Sequence, residues 1–242
     1  MRILIIRHAE PNYEIDGLTE VGKIEAELLS QKLCKEKIDK IYSSPLGRAK
    51  LTAKPTADKL GKEIITCDFL HEFNKCPIEL PYEVEDKIPW DLLPTFVDEN
   101  PDIYNVEKWK SVDFIRNSGV PQYYDSVCKE FDKVLEKHGY KRDGVNYKVI
   151  ESNHDTIAFF CHYGLASVLL SHIMNCSPYT FWQNGVVLPS SVTTVHTEER
   201  RKGTASLRVC GIGDVSHLYA KDRKPSFSAR FCECFTDNTR HD

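Results

Sequence analysis

The sequence predicts an α/β fold, a three-layer α/β/α arrangement with a mostly parallel central sheet and an inserted cap segment. Three observations predict it. Ile3 to Ile6 is a short unbroken apolar run that ends at Arg7-His8-Ala9-Glu10. Thr156 to Cys161 (TIAFFC) is a second such run, ending at His162-Tyr163-Gly164. Continuous apolar runs of this length suit central strands covered on both faces. The third observation is a set of helical apolar spacings between and after these runs, the alternation expected of an α/β chain.

Taken in order, a polar loop (Pro11 to Gly17) follows the first strand. Thr19 is a plausible N-cap for the next helix and Glu20 complements its dipole. Ile24, Leu28 and Leu29 are expected to form that helix's apolar face. Lys40-Ile41-Tyr42 reads as a short strand running into Ser43-Ser44-Pro45-Leu46-Gly47-Arg48. A helix from about Leu46 to Leu60 is predicted, with Pro45 at its entry and Gly61 as its C-cap. Ile64-Ile65 begins another short strand, and Phe69-Leu70-His71-Glu72-Phe73 follows it.

From residue 74 to about 120 the character changes. Prolines at 77, 81, 89, 94 and 101 break any regular pattern, while Trp90, Phe96, Tyr104, Trp109 and Phe114 supply bulk. This is too aromatic for a disordered linker. It reads as an insertion of loops and short helices within one domain of residues 1–242. A lid over the site and a packed peripheral excursion both fit it.

Tyr123 to His138 is predicted helical, with Val127, Phe131, Val134 and Leu135 on one face and Gly139 as its stop. A strand over Tyr147 to Glu151 and a turn at Asn153-His154-Asp155 precede the second core strand. Gly164 to Asn175 reads as a buried apolar helix. Ser191 to His196 and Ala205 to Gly211 form a predicted hairpin around Gly203. The tail from about Lys221 reads as polar, with one alternating patch near Phe227 to Phe235.

Composition narrows the function classes. The 242 residues are 41% hydrophobic and 28% charged, ordinary for a globular domain. A net charge of −4 gives no basic balance for nucleic acid or an anionic membrane, so neither is expected as a partner. No stretch approaches the roughly 20 apolar residues needed to span a bilayer. No signal peptide is read, and the nine cysteines lack disulfide-scaffold spacing. Reduced thiols in a cytoplasm are the expectation.

Sites on open α/β sheets lie beyond the carboxyl ends of the strands, where Arg7, His8 and His162 fall. Histidine acts as nucleophile or base, and arginine presents forked donors that suit phosphate oxygens. The turn before Arg48 brings a helix N-terminus to a neighbouring strand end, and Arg48 lies in that helix's first turn. Two histidines and two arginines converging make a phosphate pocket. Glu72, flanked by Phe69, Leu70 and Phe73, is a candidate general acid, since an apolar setting raises a carboxyl's pKa. An ordinary surface carboxylate is the other reading of Glu72.

These residues resemble a known family. Arg7-His8-Ala9-Glu10 is similar to the Arg-His-Gly/Ala-Glu signature of the histidine phosphatase superfamily, the phosphoglycerate mutase-like group, branch 1. Leu18-Thr19 with Gly22 matches the start of its first helix. Ser44-Pro45-Leu46-Gly47-Arg48-Ala49 with Thr52-Ala53 resembles its second motif, Cys161-His162-Tyr163-Gly164 its second-histidine motif, and Asp214 to Leu218 a C-terminal segment. The matches run in order from residue 1 to about 218.

The resemblance implies a phosphatase acting on a small phosphorylated molecule. His8 would attack phosphorus and form a phosphohistidine. Arg7, Arg48 and His162 would hold the equatorial oxygens, and Glu72 would protonate the leaving alcohol. It implies no metal and no organic cofactor. The sequence departs from the family where Tyr163 follows His162 in place of a common glycine, and where Phe73-Asn74-Lys75-Cys76 follows Glu72. His162 is not followed by Asp, which argues against the acid-phosphatase branch. The full residue set of the bisphosphoglycerate-dependent mutases is not found. A phosphomutase is therefore the second reading, and a catalytically weak phospho-ligand binding module the third.

Several residues carry two readings each. Asn12 either touches the phosphoryl group or stabilises a turn. His217 reads as structural at the site's edge rather than catalytic. Cys161 reads as a packed apolar residue rather than a thiol nucleophile. Cys232, Cys234 and His241 make an incomplete metal set.

Overall fold

The computed structural model describes residues 1–83, 87–228 and 230–237. Strand β1 (Arg2–Arg7) leads into two-residue strands β2 (Pro11–Asn12) and β3 (Gly17–Leu18), which pair with each other. Helix α1 (Glu20–Leu33), strand β4 (Lys40–Ser43), helix α2 (Gly47–Leu60) and strand β5 (Ile64–Thr66) follow. Short helices α3 (Pro94–Glu99) and α4 (Asp113–Arg116) precede the long α5 (Val120–Lys137). A hairpin of β6 (Tyr140–Asp143) and β7 (Asn146–Val149) leads to β8 (Thr156–Cys161), α6 (Tyr163–Met174) and α7 (Tyr179–Asn184). Strands β9 (Val192–Arg201) and β10 (Thr204–Asp214) and helix α8 (Ser216–Tyr219) complete the regular elements.

Eight strands form one sheet in the order β5-β4-β8-β1-β9-β10-β7-β6. The half that carries the two histidines is parallel: β5 with β4, β4 with β8, and β8 with β1. From β1 outward the sheet continues antiparallel through β9, β10, β7 and β6. Strand alternation splits the core. Ile3, Ile5, Ile157 and Phe159 pack on the face covered by α5 and α6, with Phe131 and Leu135. Leu4, Ile6, Ala158 and Phe160 pack on the opposite face, against Leu29 and Leu33 of α1 and Ala53 and Ala57 of α2. The result is the three-layer α/β/α arrangement expected of strands apolar at every position.

Local rules account for most boundaries. The Thr19 hydroxyl accepts the Gly22 N–H at 3.0 Å and caps α1. Gly61 ends α2 in the left-handed region, at φ 62°. The buried face of α1 differs from expectation. It is Gly22, Glu25, Ala26, Leu29, Ser30 and Leu33, while Ile24 is exposed. The reason is at Gly22, where an added Cβ would lie 2.1 Å from the Glu10 carbonyl oxygen. That close approach to the loop after β1 sets the helix's rotation. Helix α2 starts one residue later than expected, with Leu46 as N-cap, so Pro45 precedes the helix.

Other elements also differ. Helix α5 begins at Val120 because Gly119 turns the chain at φ 83° and Pro121 suits a first turn. Strand β6 and its hairpin were not expected from periodicity, although Asp143-Gly144 is a hairpin dipeptide. Helix α7 was not expected either. Residues 74–83 and 87–120 contain the short helices and carry Ile78, Leu92, Ile103, Trp109 and Ile115 into the core on the α5/α6 face. The patch from Phe227 to Phe235 contains no strand among the described residues, because Ser226 and Ser228 instead bond inward to Glu25 and Arg7. Among the described residues no helix is long and apolar enough to cross a membrane.

Two glycines with positive φ separate backbone strain from backbone collision. Gly144 (φ 58°) faces open space, whereas a Cβ on Gly139 (φ 89°) would lie 2.3 Å from the Glu151 carbonyl oxygen. Gly144→Ala is expected to lose about 1 kcal/mol of stability. Gly139→Ala is expected to lose about 3 kcal/mol or more. Urea unfolding of the two variants side by side checks the difference, and equal losses would contradict it.

Candidate active site

Parallel register brings the chemistry to one edge. Strands β1, β4 and β8 all run the same way, so the residues after them emerge together. The His8 N–H donates to the Cys161 carbonyl at 2.9 Å, and the Ser44 N–H to the Phe160 carbonyl at 2.9 Å. These bonds extend the ladders past the strand ends. They place His8 and His162 with ring centroids 5.1 Å apart.

Both imidazoles are buried. His8 Nδ1 lies 2.7 Å from the Ala9 carbonyl oxygen. A carbonyl only accepts, so Nδ1 carries the proton and Nε2 keeps its lone pair. Burial, then the nearby Arg7 charge, holds the His8 pKa well below the usual histidine value, against the Ala9 bond. His162 is likewise held well below it, by burial first and then by His8, Arg48, His71 and Arg7. His162 Nε2 sits 2.7 Å from the Ser44 hydroxyl, and its Nδ1 is buried without a partner.

The arginines flank this pair, since both lower the pKa of both rings. Arg48 donates from Nη1 to Asp16 Oδ1 at 2.7 Å, and the Gly47 N–H donates to Asp16 Oδ2 at 2.6 Å. Tyr13 lies beneath the Arg48 guanidinium, 5.3 Å from Cζ to the ring centroid. Arg7 is packed beside the Tyr163 ring, 5.7 Å from its centroid. The Nε atoms of Arg7 and Arg48 are buried without partners. Three buried ring and guanidine nitrogens thus remain unpaired in one cluster, an arrangement that burial penalises unless an acceptor enters.

Glu72 is buried, not a surface carboxylate. Its Oε1 accepts the Phe73 N–H at 2.7 Å and the Leu165 N–H at 3.0 Å, and Oε2 accepts the Gly164 N–H at 3.3 Å. The carboxyl therefore sits on the N-terminus of α6, immediately after His162. Burial raises its pKa above the ordinary carboxylate value, against these backbone bonds and Arg7. Gly164 is required by close approach. A Cβ there would lie 2.9 Å from Glu72 Oε1 and 2.3 Å from the Trp90 ring.

The remaining candidates sort by their contacts. The Asn12 side-chain oxygen accepts the Glu14 N–H at 3.1 Å and so caps the turn that carries Tyr13 and Asp16. Tyr163 turns its hydroxyl to the carbonyls of Trp182 and Gly185, at 2.9 and 2.8 Å. Cys161 is fully buried and its thiol pKa is pushed up by that burial, which suits packing. His217 Nε2 bonds the Ser190 hydroxyl at 3.1 Å, and the Ser190 N–H donates to the His8 carbonyl at 3.0 Å. It supports the site from behind, with its pKa lowered to about 4 by burial and then by Lys32.

Sequence reasoning missed Asp16, which reaches Arg48 across a loop, and the bond from Ser44 to His162. Ser44 lies in the second motif, but spacing along the chain does not pair it with His162. Cys232 and Cys234 are described, while His241 lies outside the described residues. Among the described residues no three His, Cys, Asp or Glu side chains are grouped to hold a metal ion.

Sequence and structure comparisons find similar proteins. The family model of the histidine phosphatase superfamily (branch 1) matches residues 3–113. Phosphoserine phosphatase 1 of Hydrogenobacter thermophilus is 28% identical over 226 residues, covering 88% of this chain and 95% of the relative. A probable phosphoglycerate mutase of Yersinia enterocolitica is 33% identical over 88 residues, covering 33% of this chain and 41% of the relative. The crystal structure of a phosphoserine phosphatase from Entamoeba histolytica in complex with 3-phosphoglyceric acid superposes with a TM-score of 0.57 at 19% identity. It covers 90% of this chain and 98% of that one, a likeness of fold.

Two consequences of burial are measurable. His8 and His162 are expected to stay neutral at pH 6, with the His8 proton on Nδ1, as read by nitrogen-15 NMR of the imidazoles. Their depressed pKa values mean that the unfolded chain takes up protons below about pH 6.5 while the native one does not. Stability is therefore expected to fall as pH drops through that value. A melting temperature that rises from pH 7 to pH 5.5 would contradict it.

Proposed function

We propose that this chain, whose residues 3–113 match the family model of the histidine phosphatase superfamily (branch 1), hydrolyses a phosphomonoester through a phosphohistidine on His8. The observation that carries the reading is the buried His8 imidazole, with Nδ1 2.7 Å from the Ala9 carbonyl oxygen and its pKa lowered by burial and then by Arg7. Its Nε2 lone pair is the nucleophile. In the first step the Nε2–P bond forms and the P–O bond to the alcohol breaks. Protonated Glu72 gives its proton to the leaving oxygen. In the second step water attacks phosphorus, Glu72 takes the water's proton, and the P–N bond breaks.

The equatorial phosphoryl oxygens fit the unpaired donors of Arg7, Arg48 and His162. The Ser44 hydroxyl already accepts the Leu46 N–H at 3.2 Å, so its own proton is available for His162 Nε2. His162 then carries its proton on Nδ1 and turns that donor to the phosphoryl group. Asp16 fixes Arg48, and Asn12 shapes the loop that presents Asp16.

Residues 74–120 are read as a cap within a single domain. The Trp90 ring resting on Gly164, beside Glu72, supports that reading. The substrate class is a small phosphorylated molecule whose leaving group meets Glu72 and this cap. The nine cysteines, scattered without disulfide-scaffold spacing, support a reducing, cytoplasmic setting. The phosphatase reading is favoured over the mutase because the named phosphatase relative aligns along 88% of this chain, against 33% for the mutase. A buried nucleophile and a buried acid both in place speak against a binding module.

His8→Ala is expected to abolish hydrolysis of an aryl phosphate measured with chelator present, together with the acid-labile phosphoenzyme trapped on quenching. Surviving turnover in that variant would refute the nucleophile. Glu72→Gln is expected to slow alkyl phosphates by about 100-fold or more and aryl phosphates much less, because aryl oxides leave without a proton. The acid works only while protonated. The rate on an alkyl phosphate should therefore hold at acid pH and fall as pH climbs through the raised Glu72 pKa. That alkaline limb should disappear in Glu72→Gln.

A further inference from the structure

The C-terminal segment, which reads as a polar tail, runs back into the site. Glu25 is buried on α1, and its Oε2 accepts the Glu10 N–H at 2.8 Å. Its Oε1 accepts both the Ser226 N–H, at 3.1 Å, and the Ser226 hydroxyl, at 2.6 Å. Ser226 is itself buried. One carboxylate thus ties the segment to the loop that follows His8. Two residues on, Ser228 meets Arg7. Arg7 Nη2 donates to the Ser228 hydroxyl at 3.0 Å, and Nη1 approaches the Ser228 carbonyl at 3.4 Å. Nη1 also donates to the Val187 carbonyl at 2.8 Å.

A guanidinium has five N–H donors in a rigid plane. Ser228 takes one from each Nη, which is the end-on fork. Val187 takes the other Nη1 hydrogen. The two that remain are the buried, unpartnered Nε–H and the Nη2 hydrogen parallel to it. Together they are the side-on fork, the edge that grips two oxygens of one anion.

We propose that Ser228 is a positioning residue for Arg7: it holds the end-on fork from behind and so leaves the side-on fork aimed at the substrate's phosphoryl group. The inference rests on the phosphate-binding reading of the site. It assigns the segment 226–228 a part in phosphate affinity that its sequence distance from Arg7 conceals. The Ser226–Glu25 bonds keep the segment in register with the loop after β1, so the clamp and the nucleophile move as one unit.

The test uses full-length Ser228→Ala, Ser226→Ala and Ser228→Thr beside the wild type. Three readouts are taken: orthophosphate affinity by calorimetry, kcat/KM on an aryl phosphate, and nitrogen-15 NMR of the Arg7 guanidinium. Ser228→Ala is expected to weaken orthophosphate binding and kcat/KM by about fivefold to tenfold, because a hydrogen bond to a charged group is lost. The Arg7 Nη signals, separate in the wild type, should merge as the group begins to rotate. Ser226→Ala should move the same readouts in the same direction by less. Ser228→Thr, which keeps the hydroxyl, should restore both affinity and the separate signals.

Unchanged Arg7 signals and affinity in Ser228→Ala would overturn the proposal. So would tighter orthophosphate binding, which would make the segment a competitor of the substrate. A wild type that neither binds orthophosphate nor turns over would instead overturn the phosphatase reading. The Arg7 signals would still decide whether Ser228 holds the guanidinium.

Discussion

Two arginines buried against two imidazoles set the terms for everything around them. Arg7 and Arg48 are fully or nearly buried, and the carboxylates beside them, Asp16 and Glu72, do not complete their hydrogen bonds. A protein tolerates such a concentration of positive charge only where local acceptors hold it in place or where an anion completes it. The acceptors are visible: Asp16 on Arg48, and Val187 and Ser228 on Arg7. What they leave unpaired are donors that suit the phosphoryl oxygens of the proposed function.

The same charge explains the state of the histidines. An imidazole beside two guanidinium groups and away from water stays neutral, and a neutral imidazole is the nucleophilic form. Desolvation acts oppositely on Glu72, favouring the protonated carboxyl. One environment thus disfavours the charged form of the imidazoles and of the carboxyl alike. Backbone geometry selects which atoms are used: the Ala9 carbonyl fixes Nδ1 of His8, and the N-terminus of α6 holds Glu72 beside His162.

The fold supplies this arrangement through register. Strands β1, β4 and β8 are parallel neighbours, so residues far apart in sequence emerge at one edge. The antiparallel half of the sheet contributes from behind. Ser190, just before β9, bonds the His8 carbonyl, and His217 of α8 holds Ser190. Glycines mark where elements are pressed together, at Gly22 against Glu10 and at Gly164 against Trp90 and Glu72.

The sequence by itself determined the layers and the order of the main elements, and it picked out His8, His162, Arg7, Arg48 and Glu72 as candidates. Unbroken apolar runs, capping residues and strand-end polar residues are local signals, and a motif in chain order carries its own chemistry. Only the tertiary structure decided what those residues do to one another. Asp16 and Ser228 reach their arginines through loops whose paths depend on packing elsewhere, so no spacing rule announces them. The buried face of α1 carries Leu29 and Leu33 but leaves Ile24 exposed, and Gly22 packs there against Glu10. Glu72 is buried rather than a surface carboxylate because α6 begins against it, and burial is a property of the assembled layers.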